Sequence, residues 1–178
     1  MTGLLTGTLA FVFLVLFEIR KCDSLRKGKK RRNPWFITGT ALLVLSFILA
    51  AHGSRAQNVQ FVAGIFILVM GLVLYAIVLS VVSDGKVYSE DDSAEKTCRK
   101  GLYGYVRHPG VWSFLLCAAG FAVAFPQGAK TAFWCALLNL GYTWLQDRFF
   151  FPVYLEGYEE YKREIPFLFP RLRQKHNI

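Results

Sequence analysis

Five strongly apolar runs separated by charge constrain this 178-residue chain more than any other feature. They cover about Gly3–Ile19, Pro34–Ala51, Val59–Val82, Val111–Phe125 and Thr131–Phe151. A bilayer core of about 30 Å is crossed by roughly 20 residues of helix. The third run meets that length easily, and the first two meet it with their flanks. The fourth and fifth, near 15 strongly apolar residues each by the same count, need their aromatic ends to span. Hydrophobic residues make up 54% of the chain and aromatics 16%, more than a soluble core of this size can bury. The expected fold is an all-α integral membrane protein with five transmembrane helices and a short C-terminal amphipathic helix.

The distribution of charge sets the expected orientation. A net charge of +9 could suggest nucleic acid, but the basic residues are partitioned between connecting segments rather than gathered into a groove. If the runs are helices, 19 of the 21 lysines and arginines fall on one side, and only Arg55 and Lys130 face the other. The positive-inside rule then places the N-terminus outside, the C-terminus in the cytoplasm, and nucleic acid off the list of partners. No basic residue precedes the first run and no small-residue cleavage site follows it, so that run is expected to be an anchor. Lys27–Arg32 reads mainly as a topology signal, with anionic lipid head groups as its other use. The four cysteines form no CxxC pair and no Cys/His ligand spacing, so neither a disulfide frame nor a metal site is expected.

Chemistry concentrates in the second half. Gly64 and Gly71 in the third run suit close helix contact, and Glu18 near the inner end of the first reads as a solvated, snorkelling carboxylate. After the polar loop Ser83–Lys100, the chain turns aromatic and basic through Gly101–Arg107 and enters the fourth run at His108, Pro109 and Gly110. Charge at the mouth of a membrane helix is costly and usually serves a site. Pro126-Gln127-Gly128 allows only a short outer turn, so the fourth and fifth runs should form an antiparallel hairpin. That connectivity returns Gln146, Asp147 and Arg148 to the level of Arg107 and His108. Leu155–Ile165 follows as an amphipathic helix, with Leu155, Tyr158, Tyr161 and Ile165 on one face and Pro166 as its stop.

These residue types suit a ligand that is cationic in one part and anionic in another. Arg107 offers a fork of donors for a carboxylate, Asp147 a carboxylate for a cation, and His108 a group that titrates near neutrality. Gly101 and Gly110 would let the backbone approach a ligand, and the tyrosines and Trp112 offer flat faces for an adenine or a sulfonium. A structural arginine–aspartate pair locking the hairpin is the rival use of the same groups.

The pattern G-x-Y-x-x-V-R-H-P at Gly101–Pro109, with Tyr158-x-x-Tyr161-Lys162-Arg163-x-Ile165-Pro166, resembles the isoprenylcysteine carboxyl methyltransferase and phospholipid methyltransferase superfamily. The likeness covers about residues 96–171. It divides the single unit into a three-span region, 1–95, and a methyltransferase-like core, 96–178. It implies S-adenosylmethionine as cofactor, bound by Gly101, Tyr103, Arg107, His108, Pro109, Gly110, Gln146, Asp147, Tyr158 and Tyr161. Arg107, His108 and Asp147 would be catalytic. The implied reaction is methyl transfer to the carboxylate or amine of a lipid-like or prenylated acceptor. The implied location is a bacterial inner membrane or the endoplasmic reticulum, with the site facing the cytoplasm. The chain departs from the pattern at Val111, where an aromatic is usual, and at Gln146, where a glutamate is usual. A nicotinamide-dependent reductase relative and a non-catalytic membrane scaffold are the alternatives.

Overall fold

The structure, a computed structural model, describes residues 1–27, 34–52, 55–84 and 95–170. Five helices of 16 to 27 residues account for the five apolar runs: α1 (Thr2–Arg26), α2 (Trp35–Ala51), α3 (Asn58–Asp84), α4 (Pro109–Ala124) and α5 (Ala129–Leu145). α1 runs beyond Ile19 because Arg20 to Arg26 are mostly good helix formers. Prolines set two starts, Pro34 just before α2 and Pro109 at the first position of α4, where a missing N–H costs nothing. Of the basic cluster Lys27–Arg32 all but Lys27 lies outside the described residues. So do residues 85–94 of the polar loop, and Arg171, Arg173 and Lys175 of the tail.

α1 and α3 (through Val81) are each long and apolar enough to cross a membrane; α2 and α4 are apolar but shorter. The apolar surface is turned outward. Ile37 is 74% exposed, and Val62 and Phe66 are each 66% exposed. Continuous exposed apolar surface on this scale marks a membrane or a protein partner. The chain thus has membrane-like helical character.

α4 and α5 are antiparallel neighbours joined by a 3₁₀ turn at Pro126–Gly128, as expected. α3 packs along α4, α1 along α2, and α1 also against α5. Phe11, Leu14 and Cys135 are buried where α1 meets α5, and Ala118, Phe121 and Ala132 where α4 meets α5. The α3–α4 contact is made backbone to backbone. A Cβ on Gly64 would lie 2.7 Å from Gly120 O, and one on Gly120 would lie 2.7 Å from Gly64 O. Gly71 makes a similar approach to Cys117 and Ser113. This is the small-residue packing expected where helices gain little from hiding apolar surface.

The C-terminal region departs from expectation. The fifth run is not one helix to Phe151: α5 stops at Leu145, a π-helical turn covers Gln146–Phe150, and α6 (Phe151–Tyr154) follows. Pro152 supplies the reason, because its ring would collide with the carbonyl four residues back, and a widened turn relieves the clash. The amphipathic helix is also shorter than Leu155–Ile165. Leu155–Glu156 is extended (β2) and pairs in parallel with Glu95–Lys96 (β1), and α7 (Tyr158–Glu164) begins only after Gly157 at φ +73°. Helical periodicity could not reveal the bridge to β1. Tyr158 and Tyr161 are nonetheless the buried face of α7.

Gly64→Ala or Gly120→Ala should lower stability by about 1–3 kcal/mol through overpacking. Gly141→Ala, with nothing within 4 Å of the added carbon, should raise it by about 0.5–1 kcal/mol. Unfolding of the detergent-solubilised protein measures all three. Equal effects at Gly64, Gly120 and Gly141 would show that backbone contact is not what the first two serve.

Candidate functional site

The site is built where the α4–α5 hairpin ends. Gly101–Gly104 forms a 3₁₀ turn, and His108 caps α4, so Arg107 and His108 leave the chain just before the helix begins. Asp147 leaves the opposite strand of the hairpin from within the π-turn. Arg107 Nε donates to Asp147 Oδ1 at 2.8 Å, and Nη2 donates to Oδ2 at 3.2 Å, the two-point match of guanidinium to carboxylate. The side chains of the pair are 9% and 8% exposed. Two more acceptors fill the fork: Arg107 Nη1 donates to the carbonyls of Lys162 at 2.8 Å and Ile165 at 2.6 Å.

Asp147 collects further donors. Tyr158 Oη donates to Oδ1 at 2.7 Å, His108 Nε2 lies 3.0 Å from the same oxygen, and Lys162 Nζ lies 3.6 Å from Oδ2. Burial alone would raise the Asp147 carboxyl, but hydrogen bonds from His108, Tyr158 and Arg107 outweigh it and hold the group well below the usual range. With Asp147 ionised, His108 Nε2 must carry the proton it shares, which leaves Nδ1 as the basic atom. Burial lowers the His108 pKa, with the Asp147 bond opposing, so the imidazole is neutral at pH 7. Burial and the neighbouring carboxylate push the Tyr158 hydroxyl far up, so it is a donor only.

A strap formed by Ile165–Phe169 closes over this knot. Pro166 O accepts from Arg107 N at 2.9 Å, Phe167 O from His108 N at 3.3 Å, and Leu168 O from Trp112 Nε1 at 3.0 Å. The His108 ring stacks on Phe151 at 5.6 Å and meets the edge of Phe167 at 4.9 Å. Alongside, Tyr161 Oη donates to Tyr103 O at 2.7 Å, which ties α7 to the 3₁₀ turn.

Of the residues expected at the site, Arg107, His108 and Tyr158 all meet on Asp147, with Pro109 and Gly110 following directly and Tyr103 and Tyr161 beside them. Two expected residues are placed differently. Gly101 sits at φ +55° with Val81 of α3 3.2 Å from where a Cβ would be, so the backbone conformation itself calls for glycine there. Gln146 is directed away from Asp147, donating from Nε2 to Glu18 Oε1 at 2.6 Å. Glu18 itself is 1% exposed, not a solvated snorkelling group, because Tyr142, Gln146 and Tyr154 all donate to it. A carboxylate inside an apolar run was the signal for it. Val111, at the position where the pattern has an aromatic, is buried. Lys162, Phe151 and Phe167 were missed. An apolar aromatic in a run of aromatics carries no mark of standing beside a histidine.

Two outcomes follow from this geometry. Arg107→Lys keeps the charge but loses the fork, and Arg107→Ala strands a buried carboxylate, so equilibrium unfolding should show the alanine variant less stable by about 3–5 kcal/mol and lysine intermediate. Stability should also fall on the acid side. The unfolded chain protonates its histidine near pH 6.5 and its aspartate near pH 3.8, whereas both folded groups resist protonation to lower pH. Melting temperature followed against pH should decline first below about 6.5 and again below about 4. His108→Gln should flatten the first decline, while the second persists through the bonds that Asp147 keeps from Arg107 and Tyr158.

No curated protein and no solved structure matches the chain significantly. A family model described as a protein of unknown function, DUF1295, matches residues 11–163, which take in α1 from Phe11 onward, α2 to α5 and nearly all of the knot, and the chain accordingly belongs to the DUF1295 family.

Proposed function

We propose that this protein is an S-adenosylmethionine-dependent methyltransferase of the membrane, acting on a lipid-like or prenylated acceptor. In this reading α1 to α5 cross the bilayer, with the N-terminus outside and the knot at the cytoplasmic face. The supporting observation is convergence. Arg107 and His108, Asp147, and Tyr158 with the strap come from three separated stretches, yet they form one buried charged cluster at the end of a helical hairpin. The likeness of Gly101–Pro109 and Tyr158–Pro166 to the isoprenylcysteine and phospholipid methyltransferases gives that cluster its chemistry.

The residues fit such a cofactor. It pairs a cationic sulfonium and ammonium with a carboxylate, and the knot offers both signs of charge. Tyr105, Trp112 and Phe169 present exposed aromatic faces beside it, and nothing comes nearer than 4.0 Å to a Cβ placed on Gly110. When bound, the cofactor supplies the transferable methyl group. The chain's own part is alignment and exclusion of water. The strap is the element that must yield for a ligand to reach Arg107 and Asp147, since those two are engaged with each other. His108 Nδ1, on a neutral ring, is the atom suited to take a proton from an amine acceptor; a carboxylate acceptor needs no base. An acceptor with a hydrophobic tail would arrive from the bilayer, between helices.

A second reading is favoured by the complete engagement of Arg107: the knot locks the hairpin of a non-catalytic scaffold. One titration separates the two. S-adenosylhomocysteine at about one hundred times its Kd should stabilise the purified protein by about 2.7 kcal/mol, and NADPH should not. His108→Gln should then bind the cofactor yet transfer labelled methyl to an amine lipid at least 100-fold more slowly, as removal of a general base does. No stabilisation at millimolar S-adenosylhomocysteine leaves the scaffold, and stabilisation by NADPH instead points to a reductase.

A further inference from the structure

Among the described residues the buried carboxylates are Asp147 and Glu18, and the knot uses only the first. Glu18 lies on α1, far from the knot in sequence, and its three hydrogen-bonding partners are all neutral. Oε1 accepts from Gln146 Nε2 at 2.6 Å and Tyr142 Oη at 2.9 Å, and Oε2 accepts from Tyr154 Oη at 3.0 Å. Gln146 Nε2 also donates to Tyr142 Oη at 3.1 Å. Lys21, three residues on in α1, lies over the ring of Tyr154 at 3.8 Å, and burying a polar side chain is costly unless it is hydrogen-bonded. An apolar side chain would dock α1 on α5 at lower cost, and what it could not do is fix the direction of three donors.

Those donors are not scattered. Tyr142 precedes the π-turn, Gln146 opens it, and Tyr154 follows it. One carboxylate therefore grips the wide turn on both sides, and single π-turns inside helices occur frequently at functional sites. Gln146 and Asp147 are neighbours in the chain and serve opposite clusters, Gln146 toward α1 and Asp147 toward Arg107 and His108. Rotation of the turn that frees Gln146 must swing Asp147 out of its bonds.

We propose that Glu18 is a positioning residue of the candidate site: through Gln146 it sets the rotation of the π-turn and so aims Asp147 at Arg107, His108 and Tyr158. The N-terminal three-helix region thereby supplies part of the site's geometry. The role concerns the placement of Asp147 and holds whichever ligand the site takes.

The test is a swap read by a spectroscopic signature. The proton on His108 Nε2, held against Asp147, should give a downfield resonance in full-length protein labelled with ¹⁵N-histidine, assigned by its loss in His108→Gln. Glu18→Leu, Glu18→Gln and Gln146→Glu should each weaken or abolish that resonance and lower the melting temperature by about 5 °C. The double replacement Glu18→Gln with Gln146→Glu re-forms the amide–carboxylate bond with its roles exchanged, and should restore the resonance and at least half of the lost temperature. A folded Glu18→Leu protein with an unchanged resonance overturns the proposal. So does a double variant in which the resonance stays absent, and this second arm decides alone where Glu18→Leu fails to fold. No cofactor enters the measurement, so its failure leaves methyl transfer standing, and a failure to bind S-adenosylhomocysteine leaves the role of Glu18 standing.

Discussion

The C-terminal half depends on one buried ion pair, Arg107 with Asp147. In a low-dielectric setting such a pair is tolerable only where each charge finds nearly all its partners. Here the guanidinium meets both carboxylate oxygens and two main-chain carbonyls, and the carboxylate adds Tyr158 and His108. The partners come from the start of α4, the π-turn, α7 and the strap. The same interaction therefore closes the hairpin, docks α7 and seats the strap, and none of these can move without exposing part of an unpaired charge.

The helices make room for this pair by being thin where they touch. Gly64 and Gly120 bring α3 and α4 together at the backbone, so α4 has one face for α3 and another for α5. Pro109 starts α4 immediately after His108, which puts the imidazole at the helix end instead of along its side. The π-turn does the corresponding work on α5. It separates the directions of two consecutive residues, so one short segment answers to α1 and to the knot at once.

Much of this was legible in residue order. Apolar run length gave five helices, Pro126 and Gly128 gave the hairpin, and the hairpin brought Asp147 to Arg107 and His108 without any further assumption. What was not legible depended on chain direction within a turn. Nothing local to Gln146 says that it faces α1 while Asp147 faces α4; that is decided by Pro152, six residues on, which forces the widened turn. Glu18 was misjudged for a related reason. Its three donors lie more than 120 residues away, so its burial is a property of the assembled helices and not of α1. Leu155 was assigned to a helix on periodicity, and its pairing with Glu95 is a long-range backbone contact that side-chain pattern does not encode.

The strap is held by its carbonyl oxygens. Pro166, Phe167 and Leu168 each offer one to Arg107, His108 and Trp112, and a carbonyl is the same group whatever side chain it accompanies. Relatives could therefore diverge in the identity of most tail residues while keeping the same grip, whereas deleting a single residue would shift every acceptor out of step. Length, more than spelling, is the inheritable quantity in this segment.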